Sequence, residues 1–398
     1  MPSSRQAPVA SALPQQLFFA TAQDRAALAR ERFFDEGQRP TGLVGDAVIQ
    51  SWMRCRSAHR SPQEPVGFDP VSATRLHSTL QRGRPLLAAA QDHLAQLEAA
   101  LGGSGCRAIL TDGDGVVVHC SPGSGAPEPV LRVAGRVGIN LTETSVGTTA
   151  PGIVVRTGQA CSVSGLEHFF ETCCALQCAA APIRDRRGHL AGVLDLTVEQ
   201  RAFGFDPAAL VGLYAAGIEN ALLRRPHGDC LLMRFQASPA LLGTPMEALA
   251  GVDSHGRVAW VNGVAQRLLG GRAVLGQDAG EIFGLSMAAL LALEGTDAAS
   301  RPPQRLASGL HVWLQSELQC QAGISGAPDI PATPLPTPGP QAPAPHQAST
   351  PETLAERNRR LVLDTLARCD GNVARAAREL GVSRGLLYRR LAEHQRDG

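Results

Sequence analysis

Every basic side chain in this protein is an arginine. The chain has 37 Lys plus Arg residues, and none is Lys. The arginines most suited to recognition chemistry lie near the C-terminus. A helix over residues 384–391 places Leu387 and Leu391, four apart, toward a core. Gly385 and Arg389 then fall on the opposite side, flanked by Leu386 and Tyr388. Gly385 lets the backbone approach a groove closely, and Arg389 can pair with a phosphate or bidentately with guanine. Leu386 can touch a thymine methyl. Arg384 and Arg390 stand at the edges, where phosphates lie. The plainer alternative is a small helical docking domain whose arginines form a solvated face.

A second group is rich in sulfur. His168 lies near Cys173, Cys174 and Cys178. A His/Cys group of this kind can bind a transition metal or sense redox state, but the spacing fits no zinc template. Neither a metal nor a cofactor is expected. A free Cys is most often a small buried hydrophobe.

Composition excludes further chemistry. Without lysine there is no G-x-x-x-x-G-K-[ST] phosphate loop and no Schiff-base lysine. No apolar run is long enough to span a membrane. Residues 1–22 are interrupted by Pro8 and Pro14 and do not read as a signal peptide. Ten cysteines without C-x-x-C pairs suit a reducing, cytoplasmic setting. Formal net charge is +1, yet residues 351–398 hold ten Arg against seven Asp or Glu. Positive charge is thus concentrated around the candidate recognition helix.

These residues need elements to position them. Thr350 and Pro351 form an N-cap and first-turn pair. Leu354, Leu361, Val362, Leu363 and Leu366 then mark one helix face. Asp370-Gly371-Asn372 ends that helix and starts the next, which carries Val373, Ala376, Ala377 and Leu380. Gly381-Val382-Ser383 makes a tight turn, and Ser383 caps the helix at 384. The small Ala376 and Ala377 let two helices cross closely. Upstream, helices are predicted over 48–55 and 86–101, strands over 106–112 and 116–119, and strands over 181–185 and 190–196. A closing helix follows Asp206-Pro207. This order is α+β. Residues 250–262 alternate like two strands around a turn, followed by a short helix. From Ala327 to Ser349, Pro recurs with Ala, Thr and Gln. That composition favours an extended tether of roughly 70 Å.

Two stretches resemble known families. Gly371-Asn372, Ala376-Ala377-Arg378, Leu380-Gly381-Val382-Ser383-Arg384 and Leu387-Tyr388-Arg389-Arg390-Leu391 resemble the Fis-type helix-turn-helix that ends many bacterial enhancer-binding activators. A second set resembles a GAF domain, specifically the sensor half of acetoin-catabolism-type activators. It comprises Ile49-Gln50-Ser51-Trp52-Met53-Arg54-Cys55, Glu143-Thr144-Ser145-Val146-Gly147-Thr148-Thr149-Ala150 and Glu167-His168-Phe169. It continues with Cys178-Ala179-Ala180-Ala181-Pro182-Ile183-Arg184-Asp185 and Gly192-Val193-Leu194-Asp195-Leu196. The family commonly has Asn after Gly-Thr, where this chain has Thr149. Residues 230–320 resemble a degenerate PAS domain; the alternative there is an irregular α+β spacer.

The resemblance implies an α+β multidomain chain. Its parts are an N-terminal helical or disordered extension (1–44), a GAF sensor (45–225), a PAS-like domain (230–320), a Pro-rich linker (321–350) and an all-α Fis-type helix-turn-helix (351–398). It implies a non-enzymatic transcription regulator. Asn372, Ser383, Arg384, Gly385, Leu386, Tyr388, Arg389 and Arg390 would contact DNA. Glu143, Thr148, Thr149, His168 and Cys178 would line the pocket of an unknown small effector. Against that, Thr148 and Thr149 would only cap a helix and His168 would be a satisfied core histidine. Half-site reading implies a homodimer, with RNA polymerase or full-length relatives as further partners. The AAA+ motor of the resembled activators has no counterpart here: neither a Walker A motif nor a Gly-Ala-Phe-Thr-Gly-Ala loop is present. The competing reading is a redox-sensing or sulfoxide-reducing GAF protein using Cys161 or Cys178, with the C-terminal helices as a dimerisation element.

Overall fold

The computed structural model describes residues 21–123, 128–225, 228–271 and 274–319, and six single positions between 365 and 376. The Pro-rich stretch and the helix at 384–391 lie outside them. Two units divide between Leu223 and Arg224, with Thr244–Met246 belonging to the first.

The first unit opens with α1 (Ala22–Arg30). Thr21 accepts from the Asp24 backbone N–H, and the Asp24 carboxylate accepts from the Thr21 N–H, a reciprocal cap. A π-turn over Glu31–Asp35 carries the chain on. In α2 (Asp46–Ser57), Val48, Ile49, Ser51, Trp52 and Cys55 share the buried face. The exposed α3 (Ala73–Arg82) precedes α4 (Arg84–Leu101), whose Leu86, Ala90, Leu94, Leu97 and Leu101 recur at helical spacing. Next come β1 (Arg107–Asp112), β2 (Val117–Cys120) and two single-turn helices, α5 (Leu131–Ala134) and α6 (Glu143–Val146). The remaining elements are α7 (Ala150–Thr157), β3 (Cys161–Ser164), β4 (Leu176–Arg184), β5 (Leu190–Glu199) and α8 (Pro207–Arg224).

The five strands form one antiparallel sheet in the order β2-β1-β5-β4-β3. Its two faces are separated by strand alternation. Ala108, Leu110, Ala179, Ala181, Leu194 and Leu196 point into one core with α4 and α8. Ile109, Cys178, Ala180 and Val193 point into the other, closed by α1, α2 and α7. The sheet is therefore buried on both sides, which is why β4 and β5 read as nearly continuous apolar runs. Residues 22–35, placed by sequence in a separate extension, supply Ala26, Ala29 and Phe33 to this second core. Phe33 and Phe34 pack against Trp52 at 5.4 and 5.2 Å between centroids. Their contacts are long-range, so no local periodicity near residue 30 reveals them.

The second unit is also an antiparallel five-stranded sheet. Its strands are β6 (Cys230–Gln236), β7 (Ala248–Val252), β8 (Val258–Val261), β9 (Gln304–Arg305) and β10 (His311–Gln319), ordered β8-β7-β6-β10-β9. Between β8 and β9 lie α9 (Gly263–Leu268), α10 (Ala279–Phe283) and α11 (Met287–Leu291). Met233, Phe235, Ala250, Phe283, Leu290 and Val312 build a core of its own. The strands and helix expected at 250–270 are present. β6 and β10, which flank each other in the sheet, were not legible as a pair.

One device turns three hairpins. The segments starting at Asp112, Asp185 and Asp253 each read Asp-x-x-Gly. The Asp Oδ1 accepts from the backbone N–H groups two and four residues on: Asp114 and Val116, Arg187 and His189, His255 and Arg257. The glycines Gly115, Gly188 and Gly256 have φ of +80°, +76° and +77°, a region costly to other residues.

Candidate effector site

The candidate residues of the first unit fall into two groups. Glu143, Thr148 and Thr149 belong to the joint between α6 and α7. Gly147 turns this joint with φ +68°, and a Cβ there would meet the Phe170 ring at 2.7 Å. Thr149 is the N-cap of α7, and its Oγ1 accepts from the Gly152 N–H at 3.2 Å. Thr148 is fully buried, with its hydroxyl 2.7 Å from that of Ser51 in α2. Glu143 takes a two-pronged hydrogen bond from Arg54 of α2, at 2.7 Å on each arm. The stretches 49–55 and 143–150 are thus in contact, and these three side chains hold α2 against α7.

His168 and Cys178 form the second group. Trp52 of α2 donates to the Glu167 carbonyl at 2.8 Å, and Arg30 of α1 donates to the carbonyls of Leu166, His168 and Phe169. This brings His168 fully inside. Its Nδ1 lies 2.9 Å from the Gly165 carbonyl. A carbonyl only accepts, so Nδ1 carries the proton. Nε2 is left as an acceptor 3.6 Å from Cys178 Sγ. Burial lowers the imidazole to about 4, aided by the Arg30 charge. His168 is therefore a neutral core histidine whose two ring nitrogens both have partners.

The thiols are equally protonated. Burial pushes Cys161 and Cys173 up to about 12 and raises Cys174 and, well above the ordinary range, Cys178. The nucleophile and metal ligand is the thiolate, and these surroundings oppose it. Among the described residues no three His, Cys, Asp or Glu side chains are grouped to hold a metal ion.

One titratable group was missed. Asp195 is 1% exposed on the central strand β5. Its neighbours Leu194 and Leu196 face α4 and α8, so Asp195 faces the core of His168 and Cys178. Thr197 Oγ1 donates to Asp195 Oδ2. Thr197 is paired across strands with Cys178, and Asp195 with Ala180, which places all four on one sheet face. Burial raises the Asp195 carboxyl from near 3.8 to about 7, with the Thr197 bond opposing. The sequence did hold a signal: Asp195 is the lone charge in the apolar run Gly192-Val193-Leu194-Asp195-Leu196. Beside this face an open groove runs past Ala26, Val48, Cys161 and Ala180, with Arg25 and Arg201 among its polar lining.

The eight candidate DNA contacts, Asn372, Ser383, Arg384, Gly385, Leu386, Tyr388, Arg389 and Arg390, lie outside the described residues. Among the described residues no helix is long and apolar enough to cross a membrane.

Comparison with known proteins aligns with both ends of the chain. Residues 21–220 match the family described as MimR, N-terminal domain. Residues 353–394 match the bacterial regulatory protein Fis family. The acetoin catabolism regulatory protein of Cupriavidus necator is 32% identical over 238 residues, covering 58% of this chain and 35% of that protein. The acetoin dehydrogenase operon transcriptional activator of Bacillus subtilis is 30% identical, covering 52% and 34%. The propane 2-monooxygenase operon transcriptional activator of Mycolicibacterium smegmatis is 33% identical, covering 49% and 32%. The matched region therefore spans about a third of each curated relative.

Proposed function

The chain belongs to the MimR N-terminal-domain family, and from that premise we propose that it is a DNA-binding transcription regulator governed by a small effector. In this reading the first unit is a GAF-like sensor, the second a PAS-like domain, and residues 351–398 a Fis-type tip that binds DNA as a homodimer. It is not an enzyme. With no lysine anywhere in the sequence, it has no phosphate-loop lysine for ATP and acts through RNA polymerase or full-length relatives rather than by ATP-driven remodelling. The observation that carries the reading is the Fis-family match at 353–394 joined to a basic recognition face at Arg384, Arg389 and Arg390.

Mobility shift against operators selected from random DNA tests it. Arg389→Ala is expected to weaken specific binding by about 1–3 kcal/mol, and wild-type affinity to fall steeply with salt. A mutant of unchanged affinity and a flat salt slope would overturn the assignment. Purified protein is expected to show no magnesium-dependent ATP turnover.

A further inference from the structure

The sensor core contains one acceptor that nothing satisfies. Asp195 Oδ2 receives the Thr197 hydroxyl, but Oδ1 is shut off from solvent and accepts no hydrogen bond from the described residues. Buried polar atoms are nearly always paired, so one left bare in an apolar interior calls for an explanation. Here the surroundings supply one. Across the sheet Asp195 is flanked by Ile109 on β1 and Ala180 on β4, and Cys161 on β3 lies beyond Ala180 in the same row. Ala180 and Cys161 also line the open groove, with Ala26 of α1 and Val48 of α2. Only the small Ala180 position separates the unpaired oxygen from that groove in the row.

We propose that Asp195 is the polar anchor of the effector site, and that its ligand is a small uncharged molecule presenting a hydroxyl donor to Oδ1, reached from the groove past Ala180. Ligand class follows from the chamber. An anion would meet the carboxyl. A cation would enter beside the Arg30 guanidinium, whose charge already bears on His168. His168 and Cys178, one row along, are both neutral. Ile109, Ala180 and Val193 leave no second charged contact on this face, so one directed hydrogen bond and apolar packing must provide recognition. The inference rests on the proposed regulator only in calling this ligand its effector.

The test uses the full chain with a panel of short-chain alcohols and diols and their O-methyl ethers, read by thermal shift and calorimetry. Wild type is expected to respond to alcohols and not to the matching ethers. Asp195→Asn keeps an acceptor for Thr197 and turns an amide donor toward the ligand. That variant is expected to bind alcohols about tenfold more weakly and to gain response to ethers. Its unliganded melting at pH 8 is expected to equal or exceed that of wild type, since it removes a buried carboxylate. Equal response to alcohols and ethers, no response to either, or unchanged selectivity in Asp195→Asn would overturn the proposal. So would a variant that melts lower at pH 8 with its selectivity intact, the mark of a purely structural Asp195. DNA mobility shift separates the two readings. Loss of DNA binding with alcohol binding retained would remove the regulator and leave the site standing; the reverse would remove the site alone.

Discussion

At the residue scale, two buried groups titrate in opposition. Asp195 is raised to about 7, so folding favours its protonated form. Its contribution is full below the unfolded value near 3.8 and is lost as pH rises toward 7. The span corresponds to something on the order of 4 kcal/mol. His168 is lowered to about 4. Its contribution is full above the unfolded value near 6.5 and is lost as pH falls toward 4, on the order of 3 kcal/mol. Between pH 4 and 6.5 the two trends offset each other. Urea unfolding of Asp195→Asn is therefore expected to show stability rising with pH across that window, where wild type changes less. Parallel profiles would mean that Asp195 does not take up a proton on folding. The pair Arg54–Glu143 makes a separate case. Glu143 is 9% and Arg54 34% exposed in side-chain terms, so solvent screens one partner. Glu143→Gln is expected to cost about 1–2 kcal/mol, measured by the same unfolding curves.

At the element scale, caps and turns decide where strands and helices end. Thr149 caps α7 through its hydroxyl. Thr149→Ala is expected to cost about 1 kcal/mol, and Thr149→Asn only a few tenths, because Asn is as good an N-cap. The Asn common in the resembled family would thus preserve the same joint. Equal losses in both variants would show that the hydroxyl does something other than capping. The same logic governs the Asp-x-x-Gly hairpins, where the side chain and the glycine are both local to the turn. These were legible without any tertiary information.

At the scale of the whole molecule, the first core extends further toward the N-terminus than its strand pattern suggests. A fragment of residues 21–225 retains Ala26, Ala29 and Phe33; a fragment of 45–225 exposes the faces of Trp52 and Phe169 that the Phe33–Phe34 pair covers. Loss of a buried Phe alone costs about 3–5 kcal/mol. The shorter fragment is expected to melt roughly 10 °C lower than the longer one, or more. Equal midpoints by calorimetry would show that residues 22–35 are dispensable to this core.

What the sequence determined by itself was whatever depends on near neighbours. The faces of α2 and α4, the hairpins at Asp112, Asp185 and Asp253, the apolar strands β4 and β5 and the closing α8 all follow from spacing and turn chemistry. The absence of a phosphate-loop lysine follows from composition. Tertiary structure alone decided which distant residues meet. Short β3 and the lone turns α5 and α6 carry too few residues for a period to show. The pairing of β6 with β10 joins residues far apart in the chain. Glu143 was a candidate for the pocket, and folding spent it on Arg54. Asp195 went unremarked, and folding placed it mid-sheet with one oxygen bare. A side chain's type is written in the sequence, but its dielectric surroundings and its hydrogen-bond partners are set by residues a hundred positions away, and those surroundings determine its chemistry.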